Sequence, residues 1–359
     1  MTSTLDRPTT TLDEILSQPQ CWTECLRVLG QMEAVRKICS HVPPDGEWLL
    51  VGCGSSYYIA LSAAAWFAAV TGMPARAVAA SEILFFPDTV LSKRRTTIPV
   101  LISRSGKTTE AVRAARFLEQ ERGIRTIAVT CHRDEPLAQT SSLPIVLDAA
   151  AEQSTVMTRS FSSMLMALQF LAASVARNDA LLEGVRQLPT EAANLFRQAP
   201  GLVRDFVSRH DFDNYSFLGQ GPFFGIANEA MLKVMESSCS YAQVFHSLEF
   251  RHGPKSIVGP HSLLGFFISD QAYAAEVDLL EEMKALGATT MAVTSKPSSR
   301  IRAASDLLIE VPAAAGEGSN LPACALAGQL LGLYSGLKKG LDPDSPRNLS
   351  QVVILNETV

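Results

Sequence analysis

Ser103-Arg104-Ser105-Gly106-Lys107-Thr108 gathers three hydroxyls and two cations around a glycine, directly after an apolar run and directly before a helical pattern that begins at Thr109. Hydroxyls, loop N–H groups and a helix N-terminus together bind anions. The helix dipole favours negative charge there, and a glycine lets the backbone approach a phosphate. An ordinary helix cap would use the same residue types, since Ser and Thr are favoured at that position. The Walker A spacing is absent. A second turn, Gly52-Cys53-Gly54-Ser55-Ser56, also follows an apolar run. Its G-x-G suggests a dinucleotide turn, but the third glycine is missing and Glu82 lies too far along to reach a ribose. The hydroxyls of Ser55 and Ser56 suit hydrogen bonds to sugar oxygens better.

Proton transfer needs an acid or base near the anion. The stretch Glu229-Ala230-Met231-Leu232-Lys233-Val234-Met235-Glu236 has a helical pattern that puts Lys233 and Glu236 side by side at i and i+3. A surface ion pair is the plain reading. Against it, the helix is otherwise apolar, with Ile226, Ala227, Ala230, Met231 and Val234, and a carboxylate placed there is a candidate general base. His252 follows in Phe250-Arg251-His252-Gly253-Pro254-Lys255, a turn rather than a core position. Histidine both accepts and donates protons near neutral pH. The other histidines have no comparable surroundings, and no His/Cys/Asp spacing suggests a metal.

The elements that must hold these residues read as alternating strands and helices. Glu47–Val51, Arg76–Ala80, Thr97–Ser103, Thr126–Thr130 and Leu143–Leu147 are short β-rich runs, most of them separated by helical patterns such as Thr109–Arg122. That order predicts parallel βαβ units, and the near-continuous apolar strands predict a sheet covered on both faces. The first 20 residues are polar and read as an extended arm, followed by an amphipathic helix over Pro19–Cys39. The pattern then repeats: Leu50-Val51-Gly52-Cys53-Gly54 returns as Phe217-Leu218-Gly219-Gln220-Gly221. Val100-Leu101-Ile102-Ser103 returns as Phe266-Phe267-Ile268-Ser269, and Ala128-Val129-Thr130 as Ala292-Val293-Thr294, at offsets of 164 to 167. Three matches near one offset indicate a duplicated α/β domain. Boundaries follow: an N-terminal arm and helix over 1–29, domains over 30–195 and 196–340, and a proline-rich tail over 341–359 that docks back on the molecule.

Composition narrows the function classes. With 359 residues and 47% hydrophobic content, the chain has the material for two buried cores. A net charge of −5 without a long basic tract argues against a nucleic acid as partner. Lys93-Arg94-Arg95 is the densest basic run and reads as a solvated loop. No charge occurs from Trp48 to Ala75, but the glycines and serines inside that stretch fit a strand, a turn and a buried helix better than a membrane span. Seven cysteines without CxxC pairs, and a start lacking an apolar signal, suggest reduced thiols and a cytoplasmic protein.

Taken together, GCGSS at 52–56, SRSGKT at 103–108, LKVME at 232–236, RHGP at 251–254 and PRNLS at 346–350 resemble the SIS (sugar isomerase) family in its tandem form. That arrangement is the one in the isomerase half of glucosamine-6-phosphate synthase. SRSG, EQSTVMTRSF at 152–161 and EFRHGPKS at 249–256 resemble the amino-sugar-phosphate deaminase/isomerase branch more closely. The resemblance implies an α/β fold of two tandem SIS domains, each a flavodoxin-like parallel sheet flanked by helices in three layers. It implies that Ser103, Arg104, Ser105 and Thr108 hold a sugar phosphate, that Gly54, Ser55 and Ser56 contact the sugar, and that the 154–158 loop, with Thr155 and Met157, closes over it. Glu236 would move the proton between C1 and C2, Lys233 would support it, and His252 would open the ring. The histidine would come from a neighbouring subunit of a homodimer. No cofactor or metal is implied.

Two departures separate this sequence from the synthase. Thr2 rather than a nucleophilic cysteine follows Met1, and the length leaves no room for a glutaminase domain. Gln351 stands where the synthase has an imine-forming lysine after P-R-N-L-x, and an amide forms no imine. The expected activity is therefore isomerisation of a phosphorylated sugar or amino sugar, with or without release of ammonia. The competing readings are a non-catalytic sugar-phosphate sensor, a transaminase-like isomerase, and a nicotinamide-dependent dehydrogenase resting on the G-x-G alone.

Overall fold

The computed structural model describes residues 4–313 and 315–355. In chain order the first half runs α1 (Thr10–Leu16), α2 (Gln18–Leu29), α3 (Glu33–Ser40), β1 (Gly46–Gly52), α4 (Ser55–Thr71), β2 (Ala75–Ala79), α5 (Ala80–Phe85), α6 (Pro87–Val90), β3 (Thr96–Ile102) and α7 (Thr109–Arg116). It continues with β4 (Ile127–Thr130), α8 (Pro136–Thr140), β5 (Leu143–Val146), α9 (Arg159–Val175) and α10 (Asp179–Arg209). The second half runs β6 (Asn214–Gly219), α11 (Phe223–Ser238), β7 (Ala242–His246), β8 (Ser262–Phe267), α12 (Tyr273–Ala285), β9 (Thr289–Thr294), α13 (Ser299–Ala304), β10 (Leu307–Glu310) and α14 (Leu321–Lys338).

The strands form two five-stranded parallel sheets, ordered β2-β1-β3-β4-β5 and β7-β6-β8-β9-β10. The two orders are the same once the strands are matched pairwise, so the repeat in the sequence is a repeat of topology. Each is the 2-1-3-4-5 order of doubly wound, flavodoxin-like sheets. Trp48, Leu49, Leu50 and Val51 are all fully buried in β1, as an uncharged strand covered on both faces must be. The uncharged stretch after Trp48 is thus strand, turn and buried helix, and among the described residues no helix is long and apolar enough to cross a membrane. By contact density the chain forms two compact units. The front unit comprises Gln20–Glu152, Arg159–Arg186 and the segment from Ser350 onward; the rear unit comprises the residues up to Pro19, Gln153–Thr158 and Gln187–Leu349.

Two local expectations are corrected. The residues before Gln18 are not extended: Thr9 caps α1 through its hydroxyl, which accepts from Leu12 N–H at 3.0 Å. Asp344 finishes that end, accepting from the N–H groups of Thr10 at 2.9 Å and Thr11 at 2.8 Å. A carboxylate at a helix N-terminus satisfies donors that no turn of the helix can reach. The single helix expected over Pro19–Cys39 is two helices, because Gly30-Gln31-Met32 interrupts it between Leu29 and Glu33.

The element that carries Glu236 owes its position to small residues. Along α14, Gly328, Gly332 and Gly336 face the backbone of α11. A methyl group at Gly328 would lie 2.5 Å from the Ala230 Cα, and one at Gly332 or Gly336 would come closer still to the carbonyl oxygens of Lys233 or Ser237. The two helices therefore pack backbone to backbone within the rear unit.

Candidate active site

In the front unit the β3–α7 corner is tightly built. Ser103 is buried, its hydroxyl lying 3.0 Å from that of Thr108. The Ser105 hydroxyl accepts from Lys107 N–H at 3.1 Å. Gly106 has φ of +66°, and a Cβ there would meet the Glu135 Cβ at 2.9 Å, so glycine is required by conformation and by space. The Thr108 hydroxyl makes no cap bond to the first turn of α7. Lys107 turns outward to Glu135 at 2.7 Å. The Arg104 guanidinium turns inward and meets Glu152 at 3.1 Å, with side chains 8% and 0% exposed. It also donates to the Gln351 carbonyl oxygen at 2.8 Å, while the Gln351 amide donates to the Glu152 carbonyl oxygen at 3.1 Å. Val353 and Leu355 continue this docking on Thr109. The tail is thus fastened to the front unit beside the corner.

The other front-unit turn lies at the carboxyl end of β1. Gly54 takes φ of +56°, and Ser55 and Ser56 open α4 and are both buried. Gly52 is forced by close approach, since a Cβ would strike the backbone of Ser56.

In the rear unit, α11 carries a three-member charge line. Lys233 is 1% exposed, and its ammonium sits 3.2 Å from Glu229 and 2.5 Å from Glu236. Burial alone would lower its pKa, but the two carboxylates outweigh that, and the pKa is raised above the ordinary lysine value. Glu229 is as buried as Lys233, whereas the Glu236 side chain keeps 18% of its surface. The pair is therefore no surface salt bridge: the ammonium is held from inside by one carboxylate and presents the other outward. Glu236 also lines a cavity of about 180 Å³ with Ser237, Cys239, Asp342, Ser345 and Arg347.

His252 is exposed, in the turn between two short 3₁₀ segments. Phe250 anchors that turn in the core, and Glu282 ties it down through Arg251 at 2.7 Å and Lys255 at 3.1 Å. Thr155 and Met157 are half-buried on the 153–158 segment, also in the rear unit. Glu14 of α1 pins that segment, accepting from Gln153 N–H at 2.6 Å and Ser154 N–H at 3.1 Å. Among the described residues no group of three His, Cys, Asp or Glu is placed to hold a metal.

The second repeat has no counterpart of the Ser103–Thr108 corner. At the end of β8, Ser269-Asp270-Gln271-Ala272 stands where β3 leads into Ser103-Arg104-Ser105-Gly106. Its donors are taken by the protein's own carboxylates. Glu276 accepts from the Ser247 hydroxyl at 2.6 Å and from the Ser269 N–H at 2.7 Å and hydroxyl at 2.9 Å. Glu317 accepts from the N–H groups of Asp270 at 3.0 Å and Gln271 at 3.1 Å. The second copy's corner has the Ser269 hydroxyl but no equivalent of Ser105 or of the left-handed Gly106.

Sequence reasoning missed Glu14, Glu152, Glu229 and Glu276. Glu229 was readable, lying at i−4 from Lys233 on the face already singled out. The other three meet partners through tertiary folding, and nothing in their neighbourhood signals it.

These features define a duplicated, doubly wound α/β protein with one hydroxyl-rich strand-to-helix corner and one helix-borne carboxylate pair. The SIS domain family profile matches residues 45–174 and 213–332, and the chain belongs to that family. It is 26% identical over 365 residues to a glutamine–fructose-6-phosphate aminotransferase (isomerizing) from Tropheryma whipplei, covering 95% of this chain and 58% of that protein. The Escherichia coli protein of the same name is 25% identical, with the same coverage. The chain thus spans little more than half the length of these relatives. A solved glucosamine-6-phosphate deaminase from Thermotoga maritima is similar at 28% identity and TM-score 0.79, covering 97% of this chain and all of that one. A tagatose-6-phosphate ketose/aldose isomerase from Escherichia coli shares the fold, with TM-score 0.82 and 23% identity over 98% of this chain and 97% of that one.

Proposed function

We propose that this chain is a phosphosugar isomerase that interconverts the aldose and ketose forms of a hexose or amino-hexose 6-phosphate, with release of ammonia when the substrate carries nitrogen at C2. Domains spanning 30–195 and 196–340 and a tail over 341–359 make up the enzyme. Ser103, Ser105 and Thr108 bind the phosphate, with Arg104 bracing the corner from beneath through Glu152. Gly54, Ser55 and Ser56 contact the sugar, and Thr155 and Met157 cover it. His252 opens the ring, acting from the neighbouring subunit of a homodimer. Glu236 then takes the proton from C2 and returns it to C1, leaving an enediol or enolamine between the two steps. Lys233 stabilises the charge on Glu236 and on the developing oxyanion. With an amino sugar, transfer to C1 gives a C2 imine; water adds there and ammonia leaves, so the nitrogen comes from the substrate itself.

The observation that carries this reading is the buried ammonium of Lys233 holding an outward-facing carboxylate at 2.5 Å on an apolar helix. A carboxylate held that way is already in position and needs little reorganisation to receive a proton. Gln351 supports the isomerase or deaminase over an amino-transferring enzyme, because its amide is bonded to Glu152 and offers no amine for an imine. The test is a thermal-shift screen of hexose and hexosamine 6-phosphates, followed by ketose and ammonia assays on the hits. A true ligand at 100 times its Kd raises stability by about 2.7 kcal/mol. Stabilisation by a sugar phosphate without turnover of any of them would make the protein a sensor and overturn the enzymatic reading.

A further inference from the structure

We propose a second binding site in the front unit, at the edge of its sheet opposite the anion corner, for an organic anion with an apolar body. The first residues of β3, β4 and β5 floor a cavity of about 560 Å³, within the range of roughly 300–1,000 Å³ typical of ligand pockets. Its walls are mostly apolar, with Ile98, Ile124, Ile127 and Leu143 among them, and His41, Ser92, Thr96 and Thr97 add a polar minority. Arg95 and Arg125 line it as well, and no Asp or Glu does. Both arginines are exposed, and among the described residues neither makes an ion pair. Arg95 ends the Lys93-Arg94-Arg95 run, so the densest basic segment of an acidic chain leads into this mouth. Among the described residues the one carboxylate bonded to a lining residue, Asp45, accepts from the Thr96 hydroxyl and does not line the cavity itself.

An apolar chamber with uncompensated guanidinium groups at its mouth selects one chemistry. The body must be an aryl or branched-alkyl group that leaves water, and the head must be a carboxylate, sulfonate or phosphate that meets the arginines. A hexose 6-phosphate carries hydroxyls on every face, more than Ser92, Thr96 and Thr97 could satisfy beside Ile98, Ile124, Ile127 and Leu143. The two sites are also separated. Six residue steps along β3 separate Thr97 from Ser103, about 20 Å at roughly 3.3 Å per residue. The ligand is thus distinct from the substrate proposed above, and the site stands whether or not that reading holds.

The test uses 8-anilinonaphthalene-1-sulfonate, an aryl sulfonate whose fluorescence rises in apolar surroundings, titrated into the folded full-length protein. Saturable binding of one probe per chain is expected, with no displacement by glucose 6-phosphate. The double variant R95E/R125E, altered only at exposed positions, should bind the probe at least about tenfold more weakly. Its affinity for the uncharged N-phenyl-1-naphthylamine, and its thermal midpoint, should stay as in the wild type. Equal loss for both probes, no loss for either, or displacement by the sugar phosphate would each overturn the proposal. Probe binding that rises as the protein is diluted would also overturn it, because a second chain would then be covering the cavity.

Discussion

Replacing Lys233 by methionine keeps the volume of a long side chain and removes one charge from a nearly water-free position. Glu229, 1% exposed, then loses the ammonium 3.2 Å away that balances it. Glu236 keeps 18% of its surface and can rehydrate, so the cost falls mainly on Glu229. Removing one partner of a buried ion pair typically costs about 3–5 kcal/mol, whereas replacing the whole pair with apolar groups is often neutral. K233M should therefore lower the unfolding free energy by about 3–5 kcal/mol in urea titrations followed by circular dichroism. The orphaned carboxylate escapes its penalty by taking up a proton, so the loss should shrink as the pH is lowered. E229Q/K233M should recover most of the stability, because the orphan charge is gone, without recovering activity. If K233M unfolds within about 1 kcal/mol of the wild type, or if the double variant is as unstable as the single one, the charge line on α11 does not hold the helix as described.

Two further outcomes follow from buried contacts. Burial raises the Glu276 pKa despite hydrogen bonds from Ser247 and Ser269 that oppose it. A carboxyl whose pKa is higher in the folded state contributes stability below its unfolded pKa and loses it as the pH rises through the folded value. Wild-type stability should thus fall relative to E276Q as the pH rises through the range just above the ordinary glutamate value, while E276A should cost about 2–4 kcal/mol by leaving Ser247 and Ser269 donors unpaired. Equilibrium unfolding at a series of pH values checks both. G332A would drive a methyl group into the Lys233 carbonyl, and overpacking of this kind costs about 1–3 kcal/mol; the same variant should lower kcat by shifting Glu236, measurable against a wild type assayed on the same sugar phosphate.

Much of the fold was legible because it rests on local, periodic signals. Apolar runs of four or five residues separated by helical patterns specify parallel strands, and the 164–167 offset carried the first topology onto the second. α1 was not legible: beyond the local cap by Thr9, its N-terminal acceptors come from Asp344, more than 300 positions away. The break at Gly30 was hidden by apolar residues at helical spacing on both sides of it. At the site, Lys233 and Glu236 were visible as neighbours, but the depth of Lys233 was not, since it depends on the close packing of α14 against α11. Arg104 shows the same boundary. Its position after a strand was legible, but its bonds to Glu152 and the Gln351 carbonyl were not, since only the tertiary fold brings those partners to it.

The proton transfer assigned to Glu236 is tested most directly by hydrogen exchange at the substrate's C2 in heavy water. The wild type should wash deuterium into C2 of a phosphosugar that it binds. E236Q, which keeps the size and leaves Lys233 its Glu229 partner, should slow that exchange by about 100-fold or more while binding the phosphosugar within a few-fold of the wild type. Exchange at the wild-type rate in E236Q would mean that another group removes the proton, and the account of the rear-unit helix as the catalytic element would fail.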